Sequence, residues 1–199
     1  ATPRAALAGA CNAVYRREDG TIVGDLIDGE GFVRAFDRAC GDTPFSWNTS
    51  SALVVGCGGV GRAIAASLVS RGLKHLGLFD TNQQLMDDLR ERLAKAFPDA
   101  TVEQRDAKAA GHDLVVNCSP LGMHPDDPMP IALDGIKPEC IVADCGMKIE
   151  MTRLLRTAQE MGCRIQRGKE MLIEQAPLYM ELFGYPGATA AEFRSLAAL

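Results

Sequence analysis

Gly56-Cys57-Gly58-Gly59-Val60-Gly61 is the stretch whose residue types and spacing most directly suggest chemistry. It follows the apolar run Leu53-Val54-Val55 and opens a stretch with Ile64, Leu68 and Val69 on one side, the strand–turn–helix setting in which GxGxxG binds a dinucleotide. Gly56 would permit the tight turn, Gly58 would let the backbone approach a pyrophosphate, and Gly61 would let helix and strand pack closely. Gly59 and Val60 complete the turn, and the anion would meet free N–H groups at a helix N-terminus. A glycine-rich turn without a ligand is the alternative.

Asp80 ends the run Leu76-Gly77-Leu78-Phe79, nineteen residues after Gly61, where a carboxylate can accept the adenosine ribose hydroxyls. The same charge would repel a 2′-phosphate, and Thr81-Asn82-Gln83-Gln84 offers no cation to attract one. NAD is therefore expected as cofactor in preference to NADP. Asp80 could instead cap the following helix, although Thr81 or Asn82 could also do so.

Other residues are less telling alone. Asp28 before Gly29 reads locally as a turn or helix cap, and Asn12 sits in a short strand. Gln175 falls within an apolar helical stripe formed by Met171, Leu172, Leu178, Tyr179 and Leu182. An amide there needs a partner, which a satisfied core glutamine and a ligand contact would supply equally well. Cys118 has no base nearby in sequence and reads as a small buried residue rather than a nucleophile. His75, His112 and His124 lack metal-ligand spacing, so no metal is expected.

The elements that must position these residues alternate. Strands are expected over Ala52 to Val55, His75 to Asp80, Val102 to Arg105, Asp113 to Cys118, Cys140 to Asp144 and Arg164 to Arg167. Helices are expected over Arg62 to Arg71, Asn82 to Phe97, Met151 to Met161 and Met171 to Phe183. Before them come a hairpin around Asp19-Gly20 and a helix from Asp28-Gly29 toward Cys40-Gly41. Strand–helix alternation implies an α/β fold: a Rossmann-type doubly wound parallel sheet, beside the remnant of a second, substrate-binding domain.

Composition excludes some partners. The chain has 199 residues, a net charge of −5 and no Lys/Arg run, so nucleic acid is not expected. Its apolar runs are far shorter than the roughly 20 residues of a membrane span. Seven cysteines without a CxxC pair suit a reducing cytoplasm. The opening Ala1-Thr2-Pro3 suggests a processed or truncated product.

Four further motifs occur in order: Gly9-Ala10-Cys11-Asn12-Ala13-Val14; Gly24-Asp25-Leu26-Ile27-Asp28-Gly29; Asn117-Cys118-Ser119-Pro120-Leu121-Gly122-Met123; and Gly168-Lys169-Glu170-Met171-Leu172-Ile173-Glu174-Gln175-Ala176. With the glycine turn they resemble the shikimate/quinate dehydrogenase family along nearly the whole chain. The resemblance implies hydride transfer between a nicotinamide and a ring hydroxyl of shikimate, quinate or a related cyclic hydroxy acid, in the shikimate pathway of aromatic amino acid biosynthesis. It implies substrate contacts from Asn12, Asp28 and Gln175, with Asp28 as the catalytic partner of a lysine. Cys118, Ser119, Pro120, Leu121, Met123, Gly146, Gly168 and Met171 would lie along the nicotinamide. It further implies that residues 1–40 form the C-terminal part of a substrate-binding domain, 41–170 the NAD-binding domain, and 171–199 C-terminal helices packing back toward the first part. The expected partner is a small-molecule ring acid, and a homodimer is allowed.

The sequence also departs from the family. The N-terminal segment with the catalytic lysine is not present, and Lys74, Lys95, Lys108, Lys137, Lys148 and Lys169 do not occupy its motif. Leu26-Ile27 replaces two polar residues of a D-N-T-D-G run, and Met147 stands where a D-x-x-Y-x-P motif has its substrate-facing tyrosine. These changes put shikimate itself in question and leave quinate or a related ring acid open. A non-catalytic sensor of dinucleotide or ring acid is the alternative reading.

Overall fold

The computed structural model describes residues 1–41 and 44–197. Its centre is a parallel six-stranded sheet of β3 (Ser51–Val55), β4 (His75–Phe79), β5 (Thr101–Gln104), β6 (Leu114–Asn117), β7 (Ile141–Asp144) and β8 (Arg164–Arg167). The spatial order is β5-β4-β3-β6-β7-β8, so the chain reverses direction across the sheet between β3 and β6. Ligands in doubly wound sheets bind beyond the strand ends at that switch point.

Apolar residues line both faces of the central strands, as a sheet covered on both sides requires. Ala52, Val54, Leu114, Val116, Ile141 and Ala143 face one core. Leu53, Val55, Val115 and Val142 face the other. The first core receives α1 (Pro3–Ala8), α2 (Asp28–Cys40), α3 (Gly59–Ser70), α4 (Gln83–Ala96) and Met171 of α6 (Gly168–Leu182). The second receives α5 (Arg153–Glu160). Outside this sheet, β1 (Ala13–Arg16) and β2 (Ile22–Asp25) form the expected antiparallel hairpin.

Strand and helix positions match the sequence expectations apart from shifts at the ends. Thr152 caps α5 by accepting from Leu155 N–H, which leaves Met151 outside that helix. The last long helix begins at Gly168, three residues earlier than its apolar stripe suggested. Two short helices were not anticipated: α1, and α7 (Ala190–Leu196) with its Thr189/Glu192 capping box.

Helix α2 lies closely between α3 and α6. A Cβ on Gly29 would come within 2.2 Å of Ala63 O, and one on Gly31 within 2.3 Å of Gln175 Cγ. Only glycine permits both approaches, and together they fix the start of α2 against α3 and α6.

Candidate active site

The glycine turn crosses the switch point. Gly56 donates to Phe79 O at 2.8 Å and adopts φ +99°, with Cys118 carbonyl carbon 2.7 Å from where its Cβ would sit. A Cβ on Gly61 would lie 1.7 Å from Gly56 O. By contrast, nothing lies within 4 Å of a Cβ on Gly58 or Gly59, and no side chain caps α3. Uncapped N–H groups thus face open space, a cradle of the right kind for a pyrophosphate. A cavity of about 350 Å³ adjoins the turn, bordered by Gly56, Gly58, Asp80, Cys118, Ser119 and Leu121 among others. Larger open clefts lie elsewhere, at the hairpin and beside His112.

Asp80 is not the helix cap. Asn82 caps α4, accepting from Gln84 N–H and Leu85 N–H. Asp80 Oδ2 accepts from Cys57 N–H at 2.6 Å and Oδ1 from Asn82 N–H at 2.8 Å, tying the glycine turn to the end of β4.

Arg62 was not singled out from the sequence, yet it anchors the same turn from below. Its buried guanidinium donates to Cys57 O, Ala8 O, Leu85 O and Asp88, joining α1, the turn and α4. A lone arginine directly after the glycine motif, at the head of the largely apolar run Ala63 to Val69, is the signal that could have revealed it.

At the ends of β6 and β7, Asn117 and Asp144 shape the adjoining loops. Asn117 Nδ2 donates to Leu121 O and to Asp144 Oδ1, while its Oδ1 accepts from Ser119 N–H and the Ser119 hydroxyl. Asp144 also accepts from Gly146 N–H and the Thr152 hydroxyl. Burial raises the Asp144 pKa against these donors. Cys118 and Cys145 have their sulfurs 3.8 Å apart, and that contact, with burial, pushes the Cys118 thiol up. A thiol held protonated is no nucleophile, which agrees with the structural reading of Cys118.

Gly146 meets Gly168 across this end of the sheet, where a Gly168 Cβ would lie 2.6 Å from Gly146 O. Met123 lies beside Gly146, while Met147 is exposed. From Gly168, α6 carries Met171 and then Gln175 into the packing against α2.

There Gln175 Nε2 donates to Asp28 Oδ1 at 3.0 Å. Asp28 opens α2 without capping it, because no side chain caps this helix. Burial raises its pKa, opposed by hydrogen bonds from Gln175 and Asn12. Asn12 Oδ1 also accepts from Ile27 N–H at 3.0 Å. The three residues singled out through the resemblance, separated by up to 163 positions, therefore converge on one half-buried carboxylate.

Fold and groove define a Rossmann-type α/β chain. The chain is 35% identical over 191 residues to shikimate dehydrogenase (NADP(+)) of Cereibacter sphaeroides (strain ATCC 17029 / ATH 2.4.9), covering 92% of this chain and 65% of that protein. It is 31% identical over 201 residues to shikimate dehydrogenase (NADP(+)) of Oleidesulfovibrio alaskensis (strain ATCC BAA-1058 / DSM 17464 / G20), covering 99% and 68%. The structure of quinate dehydrogenase from Corynebacterium glutamicum in complex with NAD superimposes with a TM-score of 0.85 at 27% identity, covering 98% and 70%. No protein-family model matches. The chain belongs to the shikimate dehydrogenase family. It spans just under two thirds of the length of the Cereibacter relative.

These relatives correct the cofactor expectation: their names specify NADP(+), so the preference for NAD over NADP does not stand. The charge argument treated Asp80 as a free carboxylate. Both of its oxygens instead accept backbone N–H groups, so the carboxylate is engaged in holding the glycine turn and the start of α4 and is not a free group reserved for the ribose.

Proposed function

We propose that the chain supplies the dinucleotide-binding part, and the Asp28 side of the substrate site, of an oxidoreductase acting on a ring hydroxyl of shikimate, quinate or a related cyclic hydroxy acid. The observation that carries this reading is the convergence of Gln175 and Asn12 on Asp28. Asp28 is half-buried with its pKa raised and no cation among its named partners, a setting suited to proton handling or to pairing with a lysine.

A bound nicotinamide dinucleotide would supply the redox chemistry. Gly56 to Gly61 would hold its pyrophosphate and Asp80 would face the adenosine ribose. Cys118 to Leu121, Met123, Gly146, Gly168 and Met171 would line the path toward Asp28. Asn12 and Gln175 would orient substrate hydroxyls, while Asp28 would hold or accept the proton lost from the reacting hydroxyl. The relatives' names make NADP the dinucleotide to test first.

In the same reading, residues 1–40 belong to a substrate-binding unit, 41–170 to the dinucleotide-binding unit, and 171–199 return to the first. Seven free cysteines favour a reducing cytoplasm. Among the described residues no helix is long and apolar enough to cross a membrane. Sedimentation would decide whether two copies pair. The dehydrogenase names of the relatives give no support to a non-catalytic sensor.

The deciding experiment assays the full polypeptide with shikimate and quinate, each with NADP and NAD. Dinucleotide-dependent turnover of a ring acid is expected. Absence of turnover by a folded, dinucleotide-binding protein would refute the reading.

A further inference from the structure

Tyr179 reads in the sequence as one more apolar residue of the α6 stripe, yet its surroundings are polar. It lies one helical turn beyond Gln175, on the face that meets α2, and its ring stacks on Phe183 with centroids 6.3 Å apart. That stacking orients the ring, and the hydroxyl lies in the neighbourhood of the Asn12 side chain, close enough to Asp28 to feel its charge.

The hydrogen bonds around Asn12 show what the phenol has left to give. Asn12 Oδ1 is occupied by Ile27 N–H, leaving the NH₂ group to donate toward Asp28 and the Tyr179 oxygen. The Tyr179 hydroxyl lies near that NH₂ group, and among the described residues no hydrogen-bond acceptor holds its own O–H. Burial and then the Asp28 charge raise its pKa, so at neutral pH it remains a neutral donor rather than a base.

We propose that Tyr179 is a substrate-contacting, specificity-determining residue that donates its phenolic hydrogen bond to a hydroxyl oxygen of the ring acid, beside the hydroxyl handled by Asp28. This rests on the function proposed above. A donor at this point favours ring acids with an oxygen within its reach, and disfavours analogues lacking that oxygen, because the half-buried O–H would then lose its partner.

The test uses the full polypeptide with saturating NADP and compares wild type with Tyr179→Phe, which keeps the stacked ring and removes only the hydroxyl. KM and calorimetric affinity for the preferred member of shikimate and quinate should weaken about tenfold, as expected for losing one buried hydrogen bond. Dinucleotide affinity and Tm should stay near wild type, and kcat should change less than KM. In protein carrying ¹³Cζ-labelled tyrosine, the Tyr179 signal, assigned by its loss in Tyr179→Phe, should shift when the ring acid binds. Its titration should move down in Asp28→Asn. Wild-type binding with unchanged ring-acid affinity in Tyr179→Phe would overturn this inference alone. If wild type binds and turns over neither ring acid, the proposed function fails and this inference with it. A Tyr179 titration unaffected by Asp28→Asn would contradict the geometry independently of any substrate.

Discussion

Asp25 and Asp28 lie three residues apart in one motif, yet the fold gives them opposite electrostatic surroundings. Asp25 is buried with a bidentate hydrogen-bonded ion pair to Arg4, and also accepts from the Thr2 hydroxyl and Leu26 N–H. The Arg4 side chain, with Thr2 and Leu26 N–H, outweighs burial and holds its pKa down at about 2. Asp28 instead receives only neutral amide donors, and burial leaves its pKa raised. A carboxylate satisfied by a cation contributes to stability, whereas one left without it retains reactivity at some cost to stability. Of the pair, Asp25 is the anchor, and Asp28 is the group to which the proposed function assigns the chemistry.

The most severe way to test this contrast is Asp28→Asn in the full polypeptide. Turnover of the ring acid should fall about 10²-fold or more, the usual cost of losing acid–base assistance. NADP affinity should change little. Because the folded pKa of Asp28 is raised, ionisation opposes folding: the favourable contribution is complete below the ordinary carboxylate range and is lost as pH rises through the raised value. The amide variant should therefore be no less stable than wild type at neutral pH. Steady-state kinetics and thermal melts read both effects, and wild-type turnover would remove Asp28 from the chemistry.

Arg4→Ala attacks the anchor. The Asp25 pKa is depressed, so its stabilising contribution is present above the ordinary carboxylate range and is lost as pH falls toward about 2. Lowering Asp25 from 3.8 to about 2 corresponds to roughly 2 kcal/mol, shared with Thr2 and Leu26 N–H. The half-exposed Arg4 accounts for only part of this, so about 1–2 kcal/mol of stability should be lost at pH 7, with a flatter acid limb. Urea melts from pH 7 to pH 3 provide the measurement. A mutant with the wild-type acid limb would show that Asp25 is not the anchor.

Gly31→Ala probes how Asp28 is held. The new Cβ would approach Gln175 Cγ to 2.3 Å and Met171 O to 3.0 Å, so Gln175 must shift away from Asp28 or α2 must move. Overpacking of this kind costs about 1–3 kcal/mol. Ring-acid KM should rise several-fold while NADP affinity holds. Unchanged KM and stability would mean that the α2–α6 contact does not position the carboxylate.

The same contrast separates what the sequence conveyed from what it could not. The positions of the strands and the glycine turn were legible because buried strands and GxGxxG leave periodic, local signals in residues such as Leu53 to Gly61. Asp25 and Asp28 were not distinguishable locally, because the difference comes from Arg4 on one side and Gln175, 147 positions away, on the other. Only the resemblance pointed to Asp28. Tyr179 was hidden by an apolar stripe, and the Asp80 charge argument failed because its backbone partners, Cys57 and Asn82, depend on the folded turn. Helix α1 carried full local punctuation in Thr2, Pro3 and Gly9, but six residues rich in alanine show no amphipathic stripe.

Thr2→Val is the smallest and most selective perturbation of the anchor. The Thr2 hydroxyl has two tasks: it donates to Asp25 Oδ1 at 2.5 Å and accepts from Ala5 N–H at 3.4 Å as the N-cap of α1. Valine keeps the branched shape and removes both bonds, while Arg4 and Leu26 N–H continue to hold Asp25. The long contact to Ala5 contributes little, so most of the effect should come through Asp25. A loss of about 1 kcal/mol is expected, within the range for a lost cap or hydrogen bond. The donor to the charged form is gone, so the folded Asp25 pKa should rise, and part of the loss should disappear as pH falls through the ordinary carboxylate range toward about 2, below which Asp25 is protonated in both states. Turnover should be unaffected, since neither bond reaches Asp28. Chemical denaturation from pH 7 down to about pH 2, beside a ring-acid assay at pH 7, tests all three expectations. A large fall in turnover with stability unchanged would invert the assignment, making the Asp25 end of the motif part of the chemistry.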